Sequence, residues 1–188
     1  MNKHIIRSGA GLVLAAASIA ALAGCASSSS HGSRVEFYSS TADLSDASTL
    51  VVSGTVTEQH VAQDIEGSGD FTLSTLHVAD APKDADGVDA GSDIVVRQLG
   101  STANPGPAAF LEDGGTYLLY LTASGLDGDL ASQYYVTGGE AGLYEEATQT
   151  AAKRSASASD VSTFTKVPEG DEGGDTLPEQ VTLEEAAG

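Results

Sequence analysis

The amino-acid sequence predicts an all-β domain: a small closed β-barrel of five to six strands with one short N-terminal helix. Apolar and polar residues alternate along several short segments, which is the two-residue period of a half-buried strand. Clusters of glycine, proline and aspartate separate these segments. Gly54 lies within the first segment, and a mid-strand glycine favours the sharp bend of a small barrel over a flat sheet. An immunoglobulin-like β-sandwich is the alternative fold.

The first three elements follow from caps and periodicity. Residues 39–48 begin with serine and threonine caps and continue with apolar residues at helical spacing, which predicts the short helix. Residues 50–61 alternate regularly and predict the clearest strand. Residues 71–78 predict the second strand, but their apolar positions change parity after Leu73. A β-bulge near Ser74-Thr75 would reconcile the two halves.

The next two strands are apolar. Residues 93–99 predict a third strand built on Ile94, Val95 and Val96. Residues 116–122 are apolar on both parities, which predicts the most buried strand. A buried helix is the competing interpretation of that run.

The C-terminal half of the domain is punctuated by glycine. Residues 133–137 and 142–146 flank Gly138-Gly139, a pattern that predicts a β-hairpin. Residues 148–160 are compatible with helix, strand or loop. Residues 162–167 alternate and predict a closing strand.

The N-terminus has the three parts of a secretory signal. Lys3 and Arg7 form a basic start, and residues 9–21 form an uncharged apolar run. In Leu22-Ala23-Gly24-Cys25, which follows, the small residues Ala23 and Gly24 precede Cys25, the only cysteine of the chain. The apolar run is shorter than the roughly 20 residues that cross a bilayer, so a permanent transmembrane helix is the less favoured alternative.

The segment Leu22 to Cys25 resembles the lipobox of bacterial lipoproteins. That resemblance implies cleavage between Gly24 and Cys25 and a diacylglyceryl group on the Cys25 sulfur. It also implies a location on the extracytoplasmic face of the cell membrane, held there by lipid. Residues 25–34 would then form a serine-rich tether. With a single cysteine, the chain has no intramolecular disulfide, so packing alone must stabilise the domain.

The domain boundaries follow from these assignments. Residues 1–24 are the predicted signal peptide, 25–34 the tether, and 35–167 the β-barrel domain. Residues 168–188 are rich in acid and glycine, which predicts a flexible C-terminal tail. Within it, Thr182 followed by Glu185 predicts a cap for one helical turn near the end.

Two motifs of the predicted barrel resemble a known family. Residues 50–56, LVVSGTV, are similar to the first-strand pattern of netrin-module and metalloproteinase-inhibitor domains. Residues 114–119, GGTYLL, resemble the Gly-x-Tyr-Leu strand of those domains. The resemblance covers roughly residues 50–143 and implies an OB-like barrel. The middle of the chain also resembles uncharacterised lipoproteins of high-GC Gram-positive bacteria.

The resemblance to inhibitors does not extend to inhibition. Those domains use disulfides and the free amine of an N-terminal cysteine to reach a catalytic zinc. In this chain a lipid would occupy the sulfur of Cys25, and the anchor would hold that residue at the bilayer.

The charge of the chain excludes one class of partner. The formal net charge is −19, and removing Lys3 and Arg7 with the signal leaves 27 acids against 6 bases, or about −21. Phosphate contacts need clustered lysine and arginine, so nucleic acid is not an expected partner. Anionic headgroups would also repel this body, so acyl chains must hold it at the membrane.

One acidic loop is a candidate metal site. Asp84, Asp86 and Asp89 lie close together in sequence, and calcium prefers several oxygen ligands. The loop lacks the spacing and the terminal glutamate of an EF-hand, and a solvated loop is the other interpretation. Asp127 and Asp129 form a second acidic tip.

No catalytic motif or cofactor-binding motif is present in the sequence. The favoured function is therefore a non-catalytic module that binds an unknown envelope protein or small ligand. The alternative is an envelope hydrolase whose residues assemble only in the fold. That alternative requires a pocket with His60 or His77 beside a serine or a carboxylate.

Overall fold

The computed structural model describes residues 36–147, 162–168 and 174–186. Within them the fold is mostly β, with eight strands and two short α-helices. Their bounds, in chain order, are α1 Thr41–Asp46, β1 Leu50–Ala62, β2 Phe71–Asp84, β3 Asp93–Leu99, β4 Thr116–Ala123, β5 Gln133–Val136, β6 Leu143–Glu146, β7 Thr163–Lys166, β8 Gln180–Thr182 and α2 Leu183–Ala186.

Five strands close into a barrel in the order β1-β2-β3-β5-β4, and β4 pairs back with β1. All neighbours in the barrel are antiparallel except β3 and β5, which are parallel. Strands β6, β7 and β8 extend the sheet outward from β4. The prediction of a small all-β, OB-like barrel with one short N-terminal helix is confirmed, so an immunoglobulin-like sandwich does not describe this domain.

Strand β1 bends so that it can pair with two neighbours. A Cβ atom at Gly54 would collide with the backbone carbonyl of His77, so the close approach of β1 and β2 requires glycine there. The predicted bulge at Ser74-Thr75 is misplaced. Opposite Leu76 and Thr75 the extra residue lies in β1, between Val56 and Glu58, whereas β2 pairs with β3 without interruption. Two further register shifts in the β1–β2 pair lie between Val51 and Gly54.

Two cores lie on opposite faces of β4, which explains why its sequence is apolar on both parities. Leu119 and Leu121 face the barrel interior, whereas Leu118 and Tyr120 face a second core outside it. All four side chains are completely buried. The prediction that this is the most buried strand is confirmed, and the competing helix does not form.

The second core is the layer between the barrel and the elements that cover it. Helix α1 covers one part, with Ser40 accepting a hydrogen bond from the Asp43 amide at 3.1 Å as its N-cap. The C-terminal segment with β8 and α2 covers the other part. The buried residues of this core are Tyr38, Leu44, Val51, Leu118, Tyr120, Ala141, Tyr144, Phe164, Val181 and Ala186.

The predicted hairpin across Gly138-Gly139 is wrong. Strands β5 and β6 do not pair with each other, because both lie along the edge of β4 opposite β1. The two glycines have φ angles of 64° and 63° and open a short 3₁₀ turn between the strands. The chain therefore continues along one edge rather than reversing.

The predicted flexible tail at residues 168–188 is wrong for residues 174–186, whereas the helical turn predicted from Thr182 and Glu185 is confirmed. Val181 and Ala186 are buried in the second core, and Leu177 and Leu183 pack against it. Thr182 and Glu185 cap the start of α2 reciprocally, because each accepts a hydrogen bond from the other's amide. Acidic composition predicted disorder here, but a few well-spaced apolar side chains order the segment.

Candidate functional site

The predicted lipidation and cleavage residues, Gly24 and Cys25, lie outside the described residues. Their roles therefore stay predictions. The segment 148–160, whose secondary structure the sequence leaves open, also lies outside the described residues. None of the described helices has the length and apolar character needed to cross a membrane.

The structure does not gather Asp84, Asp86 and Asp89 into a metal site. The Asp84 carboxylate instead accepts hydrogen bonds from the amides of Asp86, at 2.9 Å, and Gly87, at 2.7 Å. The amide of Val88 is the main cause that lowers the pKa of Asp84, with those two amides adding to it. Among the described residues no group of three His, Cys, Asp or Glu side chains could hold a metal ion. The Asp84 carboxylate therefore caps the turn of its own loop.

The two histidines do not converge. His60 lies opposite Leu73 and His77 opposite Thr55, so the two are separated along β2 by about 13 Å. The His77 Nδ1 atom lies 2.8 Å from Asp93 Oδ1, and both side chains are more than half exposed. In the described part of the chain no serine hydroxyl hydrogen-bonds to either histidine. The pair gives no specific support to the hydrolase alternative.

Arg97 is a buried charge that sequence reasoning missed. Its side chain is completely buried, although it lies on β3. Nη2 donates to Asp64 Oδ1 at 2.6 Å, and Nη1 donates to Gln133 Oε1 at 2.5 Å. Its Cζ lies 4.5 Å from the centroid of the Phe71 ring, and Nε has no hydrogen-bond partner. Arg97 therefore joins the β1–β2 connection, β2 and β5, and its burial gives it a structural role. A lone arginine beside Val95 and Val96 is the signal that could have revealed it.

The sheet face that bears the second core is called the outer face, and it is formed by Val51, Leu118 and Tyr120 of the barrel with Tyr144 of β6 and Phe164 of β7. The C-terminal strap, residues 174–186, crosses this face. Its strand β8 pairs with β7, which places Val181 beside Phe164. The outer face is therefore an apolar groove occupied by the chain's own C-terminal segment.

Two tyrosines lie under the strap. The ring centroids of Tyr120 and Tyr144 are 6.1 Å apart and tilted by 56°. The Tyr144 hydroxyl donates to the Pro178 carbonyl at 3.3 Å. The Tyr120 hydroxyl is buried without a hydrogen-bond partner. Burial is the main cause that raises the pKa of Tyr120, and the negative charge of Glu185 raises it further.

An open cleft of about 370 Å³ runs beside the strap, between β2 and α2. Its lining residues are Asp80, Ala81, Pro82, Leu183 and Glu184. The body contributes one carboxylate and the strap another, with no cation among the lining residues. Two like charges therefore line the junction between the strap and the barrel.

A scan against protein-family models and a search of the curated proteins found no match to this chain. The resemblances to lipoproteins and to netrin-module domains therefore remain predictions from the motifs themselves.

Proposed function

We propose that this protein is a lipoprotein held by lipid on the extracytoplasmic face of the cell membrane. Its β domain would act there as a non-catalytic module that binds an envelope protein or a small ligand. The observation that carries the proposal is the order of parts at the N-terminus: basic start, apolar run, then Leu22 to Cys25. Two acyl chains on Cys25 would give stable membrane binding, whereas a single chain gives only marginal affinity.

The spacing between the anchor and the body supports this arrangement. The described body begins at Glu36, so residues 26–35 separate it from Cys25. Ten residues can span at most about 33–36 Å when fully extended. The barrel could therefore stand clear of the headgroups while remaining close to the membrane.

The cations among the described residues do not offer an alternative means of membrane attachment. The described residues contain three of them, and each is engaged within the protein. Lys83 donates to the Ser45 carbonyl, and Lys166 donates to the Glu140 carbonyl. Arg97 is buried in its contacts with Asp64 and Gln133. Since the body is acidic, a lipid is the attachment that its surface chemistry supports.

Detergent phase partitioning tests the anchor. Wild-type protein should enter the detergent phase, and Cys25→Ala should leave it, because the substitution removes the sulfur that accepts the lipid. Ser28→Ala, in the same tether, is the matched control and should behave as wild type. The chains are also sized on a gel. A Cys25→Ala chain that stays in detergent and retains residues 1–24 is held by its uncleaved signal, which supports the proposal. Equal partitioning of equally processed chains contradicts it.

Crosslinking in the native envelope tests the binding role. A photoreactive residue at exposed Val61, and another at exposed Leu99, should capture a specific envelope component from wild-type cells. The same positions in the Cys25→Ala chain should lose that product, because the body is no longer held at the membrane. Unchanged crosslinks would separate binding from the anchor and contradict the proposed arrangement.

A further inference from the structure

The C-terminal strap is too short to be stable by itself. It consists of a three-residue strand and a four-residue helix, both shorter than isolated elements that persist in water. Its order therefore comes from docking onto the outer face, where Val181 and Ala186 are buried. The strap is therefore ordered in the way that a bound peptide is, by packing on the surface that it contacts.

The docking uses strand addition at a sheet edge. Strand β8 adds to β7 with three antiparallel pairs, of which Phe164 with Val181 is the central one. The Lys166 amide also donates to the Glu179 carbonyl at 2.8 Å. Backbone hydrogen bonds at an edge accept many sequences, and the pockets for alternate side chains select among them. The edge of β7 can thus accept another extended segment in the same register.

The strap fits this groove imperfectly. Tyr120 is completely buried in the core that the strap helps to cover, and its hydroxyl has no hydrogen-bond partner. A buried donor without a partner weakens the strap relative to any segment that supplies one. A competing segment with a carbonyl or amide oxygen at that point would gain a hydrogen bond that the strap does not make.

Two acids of the strap make favourable hydrogen bonds, because Asp175 accepts one from the Tyr38 amide at 2.6 Å and Glu185 caps α2. Glu184, in contrast, meets a like charge where the strap docks. The strap contains no lysine or arginine, and its acids are Asp175, Glu179, Glu184 and Glu185. It lies on a chain of net charge −19, and Glu184 shares a cleft with Asp80. Like charges at such a junction repel, whereas a cation in the strap's position would be attracted.

We propose that the outer face and the edge of β7 form a peptide-docking groove. The strap occupies this groove until a cationic, extended segment of an envelope protein displaces it. That segment would carry apolar side chains in the pattern of Leu177, Val181 and Leu183, with lysine or arginine in place of Glu179 and Glu184. The inference deepens the proposed function and rests on it only for the compartment in which the partner occurs.

Two labelled peptides test the groove on the full chain in detergent. One has the sequence of residues 174–186, and the other replaces Glu179 and Glu184 with lysine and keeps Glu185, which caps α2. Fluorescence anisotropy should show the lysine peptide binding about tenfold or more tightly at low salt, with the difference shrinking as salt rises. A scrambled lysine peptide of the same composition is the control and should bind weakly. Equal binding of the scrambled peptide, or no binding of either test peptide, overturns the proposal.

A covalent lock shows where the peptide binds. Thr163 and Thr182 lie directly opposite each other on β7 and β8, a geometry within reach of a disulfide. Thr163→Cys/Thr182→Cys in a Cys25→Ser chain should lose peptide binding when oxidised and regain it when reduced. Binding that survives oxidation occurs elsewhere and overturns the groove.

The variant Tyr120→Phe is a separate test of the role of the Tyr120 hydroxyl. Removing the unpaired hydroxyl should strengthen the docking of the strap and weaken binding of the lysine peptide several-fold. Unchanged or tighter binding contradicts the role of the hydroxyl. All these measurements use purified protein in solution, so a failure of lipidation at Cys25 would not affect them, and a failure of peptide binding would leave the anchor intact.

Discussion

The Arg97 guanidinium and the Asp64 carboxylate form a hydrogen-bonded ion pair of 2.6 Å in which the arginine is completely buried and the aspartate side chain is 28% exposed. The pair joins the loop after β1 to the outer side of β3. Because Arg97 has no contact with water, Asp64 provides the compensating charge that makes its burial tolerable.

Breaking this pair from one side should be costly. Asp64→Ala leaves a buried positive charge, and it should lower the free energy of unfolding by about 3 kcal/mol, the low end for such pairs because Asp64 is partly exposed. The double variant Asp64→Ala/Arg97→Met should lose less than the sum of the single losses. Urea unfolding measures both, with exposed Glu58→Ala as the control. An Asp64→Ala chain as stable as the control would show that water replaces the carboxylate.

Core packing predicts a large difference between two leucines. Leu119 is completely buried on β4, so Leu119→Ala should cost about 2–5 kcal/mol through lost burial and a cavity. Leu130 lies in the 3₁₀ turn Gly128–Ser132, which has no buried residue, so Leu130→Ala should cost much less. Urea melts rank the two, and the reverse order would contradict the placement of β4.

The sequence predicted the elements whose periodicity reports burial directly. β1 and β4 are examples, because alternation or a continuous apolar run follows from one or two buried faces. The hairpin at Gly138-Gly139 was wrong because two positive-φ glycines fit a reversal and an interrupted edge strand equally well locally. Only the pairing of both neighbours with β4 separates the two possibilities.

The candidate groove could not be predicted for a related reason. Local composition made residues 168–188 look like a solvated tail, and docking depends on a distant surface that includes Tyr120 and Phe164. The burial of Arg97 was not predicted because a charged side chain in a strand is normally solvated. The partners of Arg97 also come from three separate segments of the chain.

Acid should weaken the connection between two loops. Asp70 accepts hydrogen bonds from Gln63, Asn104 and Ser101, and these bonds, with that of Gln63 the largest cause, lower its pKa to about 2. A depressed pKa in the folded state stabilises the fold above the unfolded value of 3.8, and this contribution is lost as pH falls through about 2. The stability difference between wild type and Asp70→Asn should be full at about pH 5–7 and shrink between about pH 4 and 2.

Urea unfolding at several pH values measures this difference, with exposed Asp113→Asn as the matched control. A difference between wild type and Asp70→Asn that stays constant down to pH 2 would show that the carboxylate charge does not support these bonds.

Salt should stabilise the acidic domain. Screening shortens from about 30 Å at 0.01 M salt to roughly 8 Å at 0.15 M, so sodium chloride should raise the melting temperature over that range and then have little further effect. Millimolar calcium at fixed ionic strength should add only a modest gain, because Asp84 is engaged by its own loop. A large calcium-specific rise that disappears in Asp84→Asn/Asp86→Asn would contradict this account and identify a calcium site.

Intact-mass spectrometry of the protein purified from its native membranes tests the lipid anchor most directly. The account predicts a chain that has lost residues 1–24, begins at Cys25 and carries a diacylglyceryl group on that sulfur, which leaves 164 residues (188 minus 24). Fragmentation should place the added mass on Cys25. A chain that retains Met1, or a processed chain with an unmodified Cys25, would contradict the account.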